Sequence, residues 1–196
     1  MKMSKAEQKQ QTMQKLIEVA REMFSKKGYA DAAMEDIVKQ AGVTRGALYH
    51  NFGSKEGLFE AVLASVQQEI GERVEAEAAK SEEPWQQLIL GCLAFVSSAV
   101  EQRNKRILLI DGPSVIGWEK WRRMDEENSM RHLREQLQTM QEQGYLRPVS
   151  IDALTHLLSG AMNEAVLWIS ETPDHEKSLE EISAAMTLLL EGYRYK

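Results

Sequence analysis

The sequence has little cysteine, no long apolar run and no excess of positive charge. A single cysteine, Cys92, among 196 residues excludes a disulfide framework and a multi-cysteine metal site, and it suits a reducing compartment. The longest nearly apolar run, residues 88–100, is too short to span a bilayer. The first residues are polar and lack the apolar core of a secretory signal. We therefore expect a cytoplasmic protein without a membrane partner.

The charge of the chain is unevenly distributed. The formal net charge is −6, which by itself argues against a nucleic-acid partner. Residues 1–66, however, hold 10 basic and 8 acidic residues, whereas the remainder holds 14 and 22. A mildly basic head on an acidic body fits a small polyanion-binding module joined to another domain. A chance imbalance would look the same, so charge alone leaves both interpretations open.

Helical periodicity covers almost the whole chain, so the predicted fold class is all-α. Near the N-terminus one apolar stripe is followed by Gly28, and two short helices end at Gly42 and Gly53. Ser54 is placed to cap a fourth helix that runs to about Lys80. Further helices are predicted at 84–102, 104–111, 118–143, 151–170 and 176–194, with breaks at 111–113, 144–148 and 172–174. The first stripe comprises Leu16, Ala20, Met23 and Phe24.

The two short helices form a predicted helix-turn-helix. Thr44 falls at the N-cap of the second helix, whose exposed N-terminus suits a phosphate. Arg45 is placed to reach guanine, and small Gly46 and Ala47 let the backbone approach a groove. The remaining DNA candidates, for base edges or phosphates, are Tyr49, His50, Asn51 and Lys55. An ordinary helical corner with a solvated polar face is the alternative. The apolar residues that would pack this corner are Ile37, Ala41, Val43, Leu48 and Phe52, together with Phe24.

The stretch from Ile17 to Leu63 resembles the TetR (tetracycline-repressor-like) family of bacterial regulators. The matching residues are the pattern A..MF...GY that starts at Ala20 and the segment EDIVKQAGVTRGALYHNFGSKEGLF at residues 35–59. The resemblance implies a three-helix DNA-binding domain at residues 1–60 that binds a double-stranded operator. It also implies a helical ligand-binding and dimerisation domain at residues 61–196, which binds a small-molecule effector. The DNA candidates named above occupy positions that touch DNA in such proteins.

Two departures from the family pattern concern the DNA-binding domain. Ala32 and Ala33 stand where the family usually has Thr or Ser at the start of the second helix. The loss of that hydroxyl should cost about 1 kcal/mol of capping and one phosphate contact. Asn51 replaces a common His, and Asn can pair bidentately with adenine. We therefore expect an altered operator preference.

The last two helices carry apolar stripes that suit a two-fold dimer. The resemblance implies that these helices form a four-helix bundle between two subunits, in keeping with operators of two half-sites. The alternative is that both stripes face the subunit's own core. The predicted interface residues are Leu154, Leu158, Ala161, Ala165, Ile182, Met186, Leu189 and Tyr193.

The middle helices are expected to enclose the effector pocket. Aromatic and Met side chains at helical spacing are its candidate walls, and a few polar residues are candidate ligand contacts. The same spacing is typical of ordinary core, so that alternative stays open. The candidates are Phe95, Arg106, Trp118, Trp121, Met124, Asn163, Glu164 and Trp168, with Cys92, Leu109, Ile116, Asp111 and His132 as further possibilities.

Two other functions compete with a DNA-binding regulator. The four His residues are scattered and no catalytic motif is present, so we expect neither an enzyme, nor a cofactor, nor a metal site. A helical adaptor that binds protein partners through the acidic body is the second rival. The sequence favours a ligand-responsive regulator that binds a palindromic operator as a homodimer. Repression is the family's usual mode, and activation stays open.

Overall fold

The computed structural model describes residues 4–195, which form an all-α protein as predicted. Within this range no strand is present, and the only bridge of β type pairs Leu146 with Arg194. The helices are α1 (Lys5–Lys27), α2 (Met34–Ala41), α3 (Arg45–Phe52), α4 (Lys55–Ala78), α5 (Pro84–Ala99), α6 (Gln102–Lys105), α7 (Gly112–Ile116), α8 (Trp118–Glu127), α9 (Ser129–Glu142), α10 (Ile151–Glu171) and α11 (His175–Glu191), with a π-helical segment at Arg106–Asp111.

The chain divides into two compact units. The N-terminal unit comprises the chain up to Val66 together with Gln102–Trp121. The C-terminal unit comprises Gln67–Glu101 and the chain from Arg122 onward. These units differ from the predicted division at residue 60, because the segment around the π-helix belongs to the N-terminal unit. The functional boundary between a DNA-binding and a ligand-binding domain stays a prediction.

Helices α1 to α3 follow the sequence pattern closely. A capping box between Ser4 and Glu7 starts α1, and Gly28 ends it. The predicted stripe of α1 is buried, and the Phe24 ring lies 5.3 Å from the Phe59 ring, edge to face. This aromatic contact joins α1 to the first turns of α4 and stabilises the three-helix core.

Polar contacts hold the π-helical segment to the end of α1. The Arg21 guanidinium donates to Asn104 Oδ1 at 2.7 Å, and the backbone N–H of Tyr29 donates to Asp111 Oδ2 at 2.9 Å. Gly28 adopts φ +84°, which residues other than glycine rarely adopt, and a Cβ there would lie 2.2 Å from the Arg106 guanidinium, which would have to move. These contacts explain why Gln102–Trp121 belongs to the N-terminal unit.

Two predicted helix boundaries were wrong. The break expected at residues 111–113 is absent, because the π-helical segment continues into α7 with Pro113 in its first turn, where a missing N–H is harmless. The helix expected at 118–143 is interrupted at Asn128, whose side chain donates back to the Met124 carbonyl at 2.6 Å. A polar side chain that bonds to its own backbone competes with helix continuation.

The core of the C-terminal unit surrounds α5, which packs against α9, α10 and α11. Pro84 starts α5, and a near-continuous apolar sequence buries most of its faces. Within residues 4–195 no helix is long and apolar enough to cross a membrane. The same part of the chain holds no group of three potential metal-binding side chains.

Candidate DNA-binding surface and ligand cavity

The helix-turn-helix is built as predicted. Helix α2 ends before Gly42, which adopts the left-handed conformation with φ +64°, and α3 begins at Arg45 after a three-residue turn. The Thr44 hydroxyl accepts a hydrogen bond from the Ala47 N–H at 3.1 Å and caps α3. Buried Ile37 and Leu48 pack the inner side of the pair, whose outer side is left to solvent.

The outer side of α3 carries a preorganised arginine. The Arg45 side chain is 63% exposed, and its guanidinium lies 3.0 Å from Glu35 Oε1 and 5.4 Å from the centre of the Tyr49 ring. Exposed ion pairs of this kind add little to the stability of a protein. The guanidinium is therefore free to exchange Glu35 for a stronger acceptor. Gly46 and His50 are exposed beside it. This surface combines a helix N-terminus, a cation and an aromatic ring.

Two of the DNA candidates are less available than the sequence suggested. The Asn51 amide donates to the Ala47 carbonyl at 2.7 Å, and its Oδ1 is buried with no hydrogen-bond partner in the described part of the chain. Paired adenine recognition would require this side chain to leave its own helix. Lys55 Nζ donates to the Ala30 carbonyl at 3.1 Å and lies 4.6 Å from the Tyr29 ring centre. Both contacts bind Lys55 to the N-terminal unit itself.

The predicted capping defect is present at the start of α2. Ala33 occupies the N-cap position with extended backbone angles and provides no side-chain hydrogen bond. Acidic Glu35 and Asp36 in the first turn compensate in part through the helix dipole.

The C-terminal unit encloses a cavity of about 310 Å³. The later turns of α4 line it beside α5, α9 and the end of α8. Most of its wall is apolar, and the polar groups are few. The apolar side chains are Ile70, Val74, Leu88, Cys92, Phe95, Met130, Leu133 and Met162.

Asp125 is the buried charged residue of this wall. Its exposed fraction is 4%, and it lies 3.1 Å from Arg122 Nη1 and 3.4 Å from Ser159 Oγ, in both cases through Oδ2. Burial raises the pKa of Asp125 from 3.8 to about 6, although Arg122 and the Ser159 hydroxyl act in the opposite direction. Burial of the Cys92 thiol likewise raises its pKa, to about 12, so this cysteine is an inert wall residue.

Of the eight main pocket candidates, only Phe95 lines this cavity, and Cys92 and His132 among the further possibilities do so. The other seven lie outside this cavity wall, and their role in ligand binding stays a prediction. The Arg106 guanidinium pairs with Asp111, and the buried Trp121 indole donates to the Leu108 carbonyl, both within the N-terminal unit. Five further candidates also lie outside the cavity wall: Trp118, Met124, Asn163, Glu164 and Trp168. Of these five, Trp118, Glu164 and Trp168 are exposed.

The predicted dimer stripes are only partly exposed within one subunit, and their role in a dimer stays a prediction. Half of their residues are buried inside the subunit, where α10 packs against α5 and α9 and α11 packs against α5. Four large apolar side chains are exposed on these helices, and we term them the outward face: Leu157, Trp168, Leu188 and Leu189. Only Leu189 of these four belongs to the predicted stripes. The buried positions are Leu154, Leu158, Ala165 and Met186, whereas Ala161, Ile182 and Tyr193 are half-buried and Leu189 is exposed as expected.

The sequence interpretation missed the residues that matter most in the C-terminal unit. Asp125 stands in the charged run RRMDEEN, which is typical of a solvated surface. Leu157 and Leu188 stand beside other leucines in the sequence, so the pattern does not tell the exposed face of each helix from the buried one. A useful signal was the spacing Leu157, Gly160, Glu164, Trp168, which follows one helix face opposite the buried one.

Comparisons with known proteins support the helix-turn-helix assignment. Residues 16–62 match the model of "Bacterial regulatory proteins, tetR family", and residues 85–193 match "Tetracyclin repressor-like, C-terminal domain". The chain is 29% identical over 153 residues to the HTH-type transcriptional regulator SrpR of Pseudomonas putida, covering 78% of this chain and 71% of the relative. It is 33% identical over 107 residues to the uncharacterized HTH-type transcriptional regulator TtgW, also of Pseudomonas putida, covering 55% and 79%.

Solved structures extend the similarity to the whole chain. A TetR-family transcriptional regulator from Pectobacterium atrosepticum is 34% identical, with a TM-score of 0.80 and 99% of both chains covered. RolR, solved in complex with resorcinol, shares the fold at 19% identity, with a TM-score of 0.72 and coverage of 94% and 90%. The relatives are regulators, which confirms the expectation that the chain is not an enzyme. The chain belongs to the TetR family of DNA-binding transcriptional regulators.

Proposed function

We propose that the chain is a homodimeric repressor that binds a palindromic operator through α3 and is released when a small molecule occupies the cavity. The observation that carries the proposal is the exposed outer side of α3, where Arg45 and Tyr49 stand beside a capped helix N-terminus. A guanidinium held over an aromatic ring loses less conformational freedom when it binds a guanine edge.

The outward face supports the homodimer. Leu157 is 65% exposed and Leu188 is 76% exposed, which is unusual for two leucines on neighbouring helices. A Cβ on Gly160 would meet no atom within 4 Å, so a second backbone has room to approach there. A two-fold contact between the outward faces of two subunits would bury Leu157 and Leu188 of each subunit.

The continuity of α4 supports regulation by a ligand. Only Gly53 and Ser54 separate the end of α3 from α4, and the later residues Ile70 and Val74 of the same helix line the cavity. A ligand that displaces these later turns acts on the helix that follows the DNA-binding segment. Coupling of this kind typically amounts to about 1–3 kcal/mol, and it is reciprocal between effector and operator.

The proposal is tested by selecting DNA from a randomised pool with the purified protein and footprinting the enriched sequence. We expect inverted half-sites whose centres lie about one helical turn, or a small multiple of it, apart. An enriched site without two-fold symmetry would contradict the dimer, and no enrichment would favour the helical adaptor. Repression is tested with the enriched site placed across a promoter, where the protein should lower reporter expression; a rise would identify an activator.

A further inference from the structure

The charge of the cavity wall is of one sign. Glu75, Asp125 and Glu135 line it, whereas no Lys or Arg of residues 4–195 does. His132 is the remaining titratable group of the wall apart from Cys92, and its Nδ1 lies 3.1 Å from Glu75 Oε1. A cavity lined in this way repels carboxylates and phosphates and attracts cations.

Asp125 offers a free acceptor within this wall. Both of its hydrogen-bond contacts use Oδ2, so Oδ1 accepts no hydrogen bond from the described part of the chain. Arg122 is engaged on other sides as well, because its guanidinium also contacts His156 at 2.6 Å and Glu126 at 3.7 Å. The arginine is absent from the cavity wall, so a ligand meets the carboxylate and not its partner.

The N-terminus of α9 is the feature of the wall that favours an anion over a cation. Ser129 and Met130, at the start of α9, also line the cavity, and a helix N-terminus carries about half a positive charge. That partial charge favours an anion. It is smaller than the full charge of buried Asp125, to which Glu75 and Glu135 add less because both are exposed to solvent.

We propose that the cavity binds a compact organic cation, whose ammonium group donates to Asp125 Oδ1 while an apolar body contacts the α4 and α5 side chains. A volume of about 310 Å³ is at the small end of known ligand sites, which limits the size of the body. The inference deepens the proposed function, because this is the cavity to which we assign the effector.

Three probes of one scaffold test the charge preference: 3-phenylpropylamine, 3-phenylpropan-1-ol and 3-phenylpropionate. Each is titrated into the full-length protein by calorimetry at about pH 8, where carboxylates are ionised and alkyl amines are protonated. A hydrogen bond to a charged group predicts that the amine binds about tenfold or more tightly than the alcohol, with the carboxylate weakest. Equal affinities, stronger binding of the carboxylate, or no binding of the amine would each overturn the proposal.

The variant Asp125→Asn should reduce the preference for the amine over the alcohol to about twofold or less, because the acceptor loses its charge. Its affinity for the alcohol should be unchanged, which shows that the cavity is still folded. The matched control is Glu126→Gln, which removes a neighbouring carboxylate outside the wall and should leave all three affinities as they are. An Asp125→Asn protein that keeps the full preference would contradict the role of this residue.

DNA binding separates this inference from the proposed function. A protein that selects a symmetric DNA site but shows no preference for the amine is a regulator with an effector of another class. A protein that prefers the amine but selects no DNA has the ligand site without the regulatory function.

Discussion

A buried carboxylate that serves to bind a ligand should lower the folding stability of the ligand-free protein. Asp125 allows this cost to be measured. Its exposed fraction is 4%, and burial raises its pKa from 3.8 to about 6. Between these two pH values the unfolded chain has released the proton that the folded chain still holds. Because the folded state then binds more protons, its stability falls as the pH rises from about 3.8 to 6, and the loss is complete above 6.

The size of the effect follows from the two pKa values. A difference of about 2 corresponds to about 3 kcal/mol at ~1.36 kcal/mol per pKa unit. This figure is a net cost, because the pKa of about 6 already includes the attraction of Arg122 and the hydrogen bond with Ser159. Asparagine stays neutral, so Asp125→Asn avoids the cost. That arginine keeps its contacts with Glu126 and His156 and is not left without a partner. We therefore expect the variant to be about 1–3 kcal/mol more stable than the parent near pH 8 and about equal near pH 4.

Urea unfolding of parent and variant across this pH range measures the difference directly. The control is Glu126→Gln, which removes a 48% exposed carboxylate that also contacts Arg122 and leaves buried Asp125 in place, so the fall in stability with rising pH should persist. A variant less stable than the parent near pH 8 would refute the reasoning. Asp125 would then be a structural partner of Arg122, retained for stability and not for a ligand.

Three further predictions concern the surface and the core. Leu188→Glu should convert the dimer to monomers in sedimentation, whereas Ile110→Glu, at an exposed apolar position of the N-terminal unit, should leave it intact; a dimeric Leu188 variant would exclude the outward face. Ala33→Ser should raise the free energy of unfolding by about 1 kcal/mol through a new N-cap hydrogen bond, and an unchanged value would show that α2 is capped by solvent. Gln67→Met should stabilise the protein by about 1–3 kcal/mol in denaturant titration, because neither polar atom of this buried amide has a hydrogen-bond partner among residues 4–195. A loss of stability would indicate an ordered water at that site.

The N-terminal unit was the more predictable part because its determinants are local. Gly42, Thr44 and Gly53 act on their own helix ends, and the stripe of α1 needs only helical spacing to be recognised. The association of Gln102–Trp121 with this unit was not predictable in the same way. It depends on contacts such as Arg21 with Asn104, between residues far apart in the sequence.

The C-terminal unit was less predictable because its sequence leaves more than one side of each helix apolar. In α10, Leu154 and Leu158 are buried whereas Leu157 is exposed, and composition does not distinguish the two faces. Asp125 is buried although it stands in a charged run, and the break at Asn128 between α8 and α9 was not predicted either. Such a break depends on packing against other helices, which periodicity within one segment does not report.

The central claim is that α3 reads a DNA sequence, and the affinity of Arg45→Ala for DNA tests it most directly. Fluorescence anisotropy should be measured on the sequence enriched from the random pool and on its shuffled version, for the parent, for Arg45→Ala and for the exposed control Lys177→Ala. We predict that the parent prefers the enriched sequence by about 10³-fold or more. Arg45→Ala should lose about 1–3 kcal/mol on that sequence and much less on the shuffled one, with the control unchanged. Equal affinity of the parent for the two DNAs, or equal losses for Arg45→Ala on both, would contradict the account.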